Sequence, residues 1–117
     1  SDHLLTALNM LKRDENLSSV SSVVKYSHPV ERRLKIESDI LSIVNKQKFD
    51  NRSQDLENYY HDAGQFYFSR TSHLMKERRM ILEKTKPIIL GNHESQDIDN
   101  KEDWLIAELK YSNLVNE

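Results

Sequence analysis

Cysteine is absent from the 117-residue chain. Disulfides, zinc–thiolate centres and thiol nucleophiles are therefore excluded from its chemistry, and a cysteine-free composition fits a cytoplasmic protein. Glycine and proline occur only twice each. Two glycines hardly suffice for a phosphate cradle, and no P-loop, Rossmann glycine fingerprint or G-x-S-x-G turn occurs. The formal charge is −2, so no basic field points to nucleic acid. No apolar run reaches the ~20 residues of a membrane-spanning helix, and no signal peptide is visible. The histidines (His3, His28, His61, His73 and His93) show no i, i+4 pairing and have no cysteines beside them, which argues against zinc.

What is present suggests one modest core. Hydrophobic residues make up 37% of the chain, and the length predicts one domain or part of one. Leu4, Ala7, Leu8 and Leu11 recur at helical spacing, predicting a helix over 2–13 with Ser1 or Asp2 as its cap. The Val- and Ser-rich run 18–26 reads as a buried strand, ended by His28-Pro29. Residues 33–37 and 39–44 fit a hairpin with weak turn chemistry, and 45–58 reads as a polar loop. A strand over 64–69 follows, then a helix over 71–84 capped by Thr71 or Ser72, a short strand over 86–91 and a last helix over 100–114 capped by Asp99 or Asn100. Alternating strands and helices predict an α/β architecture. The opening "SDHLLTAL" already carries a helical pattern, so the chain reads as starting within a longer protein.

Few residues stand out as chemistry. Asp97 and Asp99 lie between a strand end and a helix start. In an extended segment, side chains two apart point the same way, and paired hard oxygens suit Mg²⁺. The simpler alternative is one capping Asp and one solvated Asp. Arg52, in the polar loop, has the planar fork that clamps a carboxylate, although a lone loop arginine is more often a solvated charge. The run "HPVERR" offers a polar rim for an acidic ligand or a plain charged turn. "YYHDAGQFYF" at 59–68 sets aromatics around a glycine, a pattern of core packing or of a binding wall.

Together "SVVKYSHPVERRLKIE", "RSQDL", "YYHDAGQFYF" and "DIDNKEDWLIAELKY" resemble, in order and spacing, the acylneuraminate cytidylyltransferase family over nearly the whole chain. The "DAGQFY" form is nearest to the branch acting on pseudaminic acid. The resemblance implies transfer of CMP from CTP to a nonulosonic acid of pseudaminic or sialic type, with Mg²⁺, giving a CMP-sugar and pyrophosphate. It implies that Asp97 and Asp99 are catalytic metal carboxylates and that Arg52 holds the sugar acid. It also implies that Gly64, Gln65 and Tyr67 form the wall of the sugar pocket. A homodimer, no nucleic acid or membrane partner, and a Rossmann-like, GT-A-like nucleotidyltransferase sheet with flanking helices complete the expectation.

Departures from the family pattern sharpen it. Glu31 stands where sialic acid enzymes carry a lysine, so either Arg32 takes the acid-binding role or the sugar sits differently. Met80 and Ile81 fall where those enzymes present two aromatics from the partner subunit, which favours a more deoxygenated sugar. The family's CTP-binding loop of the form "ARxGSKxxxxKN" does not occur. The chain is thus expected to be the C-terminal sugar-binding, metal-binding and dimerisation part of the enzyme, inactive alone. The 71–84 helix, with Leu74, Met75, Ile81 and Leu82, is the expected dimerisation segment, and the parallel sheet is expected to expose an edge. Alternatives are a cytidylyltransferase for legionaminic acid or Kdo, and a non-catalytic dimerisation module.

Overall fold

The computed structural model describes residues 2–52 and 55–115. Its elements run α1 (Asp2–Arg13), β1 (Ser19–Lys25), β2 (Leu34–Glu37), β3 (Ile40–Ile43), β4 (Tyr60–Ser69), α2 (Thr71–Glu77), β5 (Thr85–Leu90) and α3 (Lys101–Val115), with 3-10 turns at Val30–Arg32 and Asn92–Glu94. The chain forms two compact units: one made of the stretch up to Val24 together with that from Asp62 onward, the other of Lys25–His61.

In the first unit, β1 is the middle strand of a three-stranded sheet ordered β4-β1-β5. It runs parallel to β5, with Ser19 opposite Thr85 and Val24 opposite Leu90. Against β4 it is antiparallel: the Arg70 N–H donates to the Ser18 carbonyl at one end, and the Phe66 N–H to Ser22 Oγ further along. The sheet is therefore mixed rather than wholly parallel, with β4 and β5 at its edges. Ser18, Ser19, Ser21 and Ser22 are buried, as a middle strand requires. Their hydroxyls need partners at that depth. Ser19 Oγ meets Thr85 Oγ1 at 2.7 Å and Ser18 Oγ meets His73 Nδ1 at 2.7 Å. Ser21 Oγ alone of these finds none among the described residues.

The core lies under α1. Ala7 and Leu11 from one helix stripe pack with Leu17 and Val20, flanked by Met10, Phe66, Phe68 and Ile88. Each fully buried aliphatic side chain there contributes ~1.5–3 kcal/mol. Leu4, on the expected stripe, is exposed. Asp2 lies inside the helix, and the expected cap at Ser1 falls outside the described residues.

Three expectations need correction. The strand expected from 64 begins at Tyr60. The helix expected over 71–84 stops at Glu77, because Arg78 turns left-handed (φ 53°) and its N–H caps the Leu74 carbonyl. Leu82 is drawn inside, 2% exposed, with its N–H and carbonyl both tied to Thr85 Oγ1. Burying that leucine outweighs continuing the helix, so Leu74, Met75, Ile81 and Leu82 do not share one helix face. Neither Thr71 nor Ser72 caps α2. Its N-cap is Arg70, whose side chain makes no capping bond.

The unit Lys25–His61 contains the expected hairpin. Register pairs Leu34 with Ile43 and Glu37 with Ile40. The two turn residues, Ser38 and Asp39, both have positive φ (49° and 65°). This is the primed turn that matches strand twist, here built without glycine.

Candidate functional site

The topology gathers several of the singled-out residues at one end of the sheet. β1 and β5 are parallel, so both carboxyl ends lie there, where open α/β sheets bind ligands. Antiparallel β4 brings its first half to the same end. Gly64 and Gln65 therefore meet the segment that leaves β5, and the Gln65 side-chain amide donates to the Glu94 carbonyl at 2.6 Å. Glu94 is itself anchored. Its carboxylate accepts from the Gly91 N–H at 3.0 Å and lies 2.7 Å from His3 Nε2. The His3 bond, and after it the Gly91 N–H, hold the Glu94 carboxyl below its ordinary range.

Gly64 lies in β4 with φ +69°, and nothing stands within 4 Å of where a Cβ would point. A left-handed residue within a strand marks a bulge. The glycine is thus demanded by backbone conformation, and the space beside it is open. Asp62, which the sequence did not single out for a role, spans the bulge. Its Oδ1 accepts the Gly64 N–H at 2.8 Å and its Oδ2 the Tyr67 hydroxyl. That bond, then burial and the carboxylate charge, raises the Tyr67 pKa. A phenol is protonated at neutral pH in any case, so its hydroxyl can donate to Asp62.

Asp97 and Asp99 follow on the irregular segment before α3, both exposed. The helix cap is Asn100, whose Oδ1 accepts the Asp103 N–H at 2.8 Å, while the Asp99 N–H donates to Asp103 Oδ2 at 3.0 Å. Neither the Asp97 nor the Asp99 carboxylate is spent on capping. Mg²⁺ in general takes one or two protein carboxylate oxygens and completes its shell with water and phosphate. Among the described residues no group of three or more His, Cys, Asp or Glu could hold a metal ion. Lys110 pins this segment, with its Nζ 2.8 Å from the Ser95 carbonyl and 2.7 Å from Gln96 Oε1.

Arg32 and Arg52 belong to the unit Lys25–His61. There a cavity of about 550 Å³ is lined by Lys25, Tyr26, His28, Arg32, Glu57 and Tyr59, among others. Among the described lining residues Lys25, His28 and Arg32 carry basic side chains and Glu57 an acidic one. Glu57 is occupied by the Tyr59 hydroxyl, and that hydrogen bond is the main reason the Tyr59 pKa is raised. Arg32 donates one guanidinium N–H to the Asn51 carbonyl, while its Nε is buried and unpartnered among the described residues. Glu31, the apparent charge reversal, is 7% exposed and does not line the cavity. Arg52 is exposed and does not line it either. The sequence signal for Lys25 and Tyr59 was only their nearness to the His-Pro turn and the aromatic run.

The chain thus has a small mixed α/β sheet with two exposed carboxylates on the segment after β5, and a cavity within the unit Lys25–His61. No family model matches the chain. Pseudaminic acid cytidylyltransferases of Campylobacter jejuni subsp. jejuni serotypes O:23/36 and O:2 are each 26% identical to it over 91 residues, 77% of this chain and 39% of the relative. A Helicobacter pylori protein is 27% identical over 96 residues, 82% of this chain and 18% of the relative. That protein is named pseudaminic acid cytidylyltransferase and UDP-2,4-diacetamido-2,4,6-trideoxy-β-L-altropyranose hydrolase. The chain is thus a distant homologue of pseudaminic acid cytidylyltransferases, and it spans about two fifths of the length of the two Campylobacter relatives. Among the described residues no helix is long and apolar enough to cross a membrane.

Proposed function

We propose that this chain is the sugar-side portion of a cytoplasmic cytidylyltransferase that joins CMP from CTP to a nonulosonic acid, pseudaminic acid foremost. The observation that carries the reading is the homology over 91 residues to enzymes named for that reaction. The anomeric hydroxyl of the sugar attacks the α-phosphate of CTP. The new O–P bond forms as the bond to pyrophosphate breaks, and the hydroxyl proton passes to solvent. Asp97 and Asp99 are the residues that would hold Mg²⁺, which when bound neutralises charge on the triphosphate. Gly64, Gln65 and Tyr67 line the sugar side. Arg32 receives an acidic group, a role supported by its place in the cavity and by an Nε that is unpartnered among the described residues, since a guanidinium donates most strongly to a carboxylate. Arg52 keeps its proposed part as a second clamp on the sugar acid.

The CTP-binding half is assigned to sequence outside this chain, so the chain alone is expected to bind sugar acid without turning over CTP. Saturation-transfer NMR with pseudaminic acid tests the reading. Binding should be seen, should weaken about tenfold in Arg32→Ala, and should be stronger than for legionaminic acid or Kdo. Binding undiminished by that substitution, or no preference across the panel, overturns the assignment.

A homodimer is proposed to use the β2–β3 hairpin in addition to the 71–84 segment. Register places Leu34, Ile36, Leu41 and Ile43 on one face of it, and Ile36 is 73% exposed. A lone two-stranded hairpin is marginal in water. Sedimentation should show a dimer that Ile36→Lys converts to monomer, and a monomer in both chains would refute it.

A further inference from the structure

Asp62 occupies a place that packing does not explain. It is exposed, it adds nothing to the core, and yet its two carboxylate oxygens hold two different parts of the proposed sugar wall. In a regular strand, residues an odd number of positions apart project to opposite faces. Asp62 and Tyr67 are five apart. Their side chains meet because the left-handed residue at Gly64 breaks the alternation between them. The same carboxylate closes the bulge by taking the Gly64 N–H, a donor that the broken ladder would otherwise leave unpaired.

We propose that Asp62 is a positioning residue for Tyr67: by accepting the phenolic O–H while it braces the Gly64 bulge, it leaves the Tyr67 oxygen as an acceptor only, so that this tyrosine reads a hydrogen-bond donor on the sugar, a hydroxyl or amide N–H. The inference rests on the reading of Tyr67 as part of the sugar wall. The chemistry follows from the inventory of a phenol, one donor hydrogen and lone pairs that accept. An ionised carboxylate cannot donate, so the bond between the two has one direction. A neutral phenol facing solvent rotates and can donate or accept. A phenol committed to a carboxylate is fixed in orientation and in polarity, and a ligand group that needs a donor is turned away. Gln65 is fixed in a comparable way, with its amide given to the Glu94 carbonyl at 2.6 Å.

Two readouts separate this inference from its parent. The first needs no sugar. In the chain labelled with ¹³C-tyrosine, with the Tyr67 signal assigned by its loss in Tyr67→Phe, the phenol should titrate higher than in Asp62→Ala, and Asp62→Asn should fall between. A Tyr67 titration unmoved by either substitution overturns the positioning role. The second readout is a double-mutant cycle on pseudaminic acid binding. Asp62→Ala should weaken binding about fivefold in the parent chain and clearly less in Tyr67→Phe, where the part of its effect that passes through the hydroxyl is already gone and only the brace on Gly64 remains. Asp62→Asn, which keeps an acceptor, should recover part of the loss. A fivefold loss that persists undiminished in the Tyr67→Phe background shows that nothing passes through the hydroxyl and overturns the inference. If Tyr67→Phe itself leaves binding unchanged, or the parent chain binds no sugar, the sugar-wall reading fails and the claim of donor selection falls with it. The titration then still decides whether Asp62 holds the hydroxyl.

Discussion

Replacing Arg70 by methionine should be among the most damaging single changes in this chain. Arg70 stands between β4 and α2, and its guanidinium reaches back to the end of α1. Nε donates to the Leu17 carbonyl at 2.7 Å, and one terminal nitrogen donates to the Asp14 carbonyl at 2.9 Å and to the Leu11 carbonyl. Leu11 lies in the last turn of α1, where carbonyls lack intrahelical donors and the helix dipole is negative. One cation thus closes a helix, a turn and the entry to the middle strand. A hydrogen bond to a charged group is worth ~1.5–3 kcal/mol, but these three share one guanidinium and do not add. The freed carbonyls also regain some water. The expected loss is ~3 kcal/mol, a large share of the ~5–15 kcal/mol of an ordinary domain. Methionine keeps the apolar stem, so lost packing contributes little. Arg70→Lys should recover less than half, since an ammonium cannot fork toward three carbonyls. Urea unfolding followed by circular dichroism measures both variants. A midpoint for Arg70→Met within ~0.5 kcal/mol of the parent, the scatter of neutral surface changes, would refute the argument.

Other outcomes follow from the same geometry. Gly64→Ala should destabilise by ~1–2 kcal/mol from the left-handed backbone alone, and Gly64→Asn by less. Since nothing lies within 4 Å of the Cβ position, a larger loss in urea titration would mean a clash that the fold does not contain. The double substitution Ser38→Asn, Asp39→Gly supplies the residues a primed turn prefers and should stabilise the hairpin by ~1 kcal/mol, read as slower amide exchange at Ile36 and Leu41. Because the Glu94 carboxyl is lowered, first by its hydrogen bond to His3 and then by the Gly91 N–H, its contribution to stability is present above the unfolded carboxylate pKa and is lost as pH falls through the folded one. The stability gap between the parent chain and Glu94→Gln, taken from urea midpoints, should therefore shrink on acidification from pH ~6 to pH ~3. A gap independent of pH would exclude that anchor.

The sequence by itself determined the local elements. Helical spacing at Ala7 and Leu11, the Val-Ser run of β1, the hairpin and the start of α3 at Asn100 are all written within a few neighbouring residues, because periodicity and capping are local effects. Only the tertiary structure decided the rest. Leu82 ends α2 early because a buried site for it lies elsewhere in the fold. β4 runs antiparallel to β1 because strand direction depends on partners distant in sequence. Glu31 is turned inward while Arg32 lines the cavity, although the two are adjacent. The pairing of Asp62 with Tyr67 needed the bulge at Gly64, which an alternating pattern cannot announce. Short-range propensity acts along the chain; burial and hydrogen-bond satisfaction act across it, and those long-range terms chose which charges line a site.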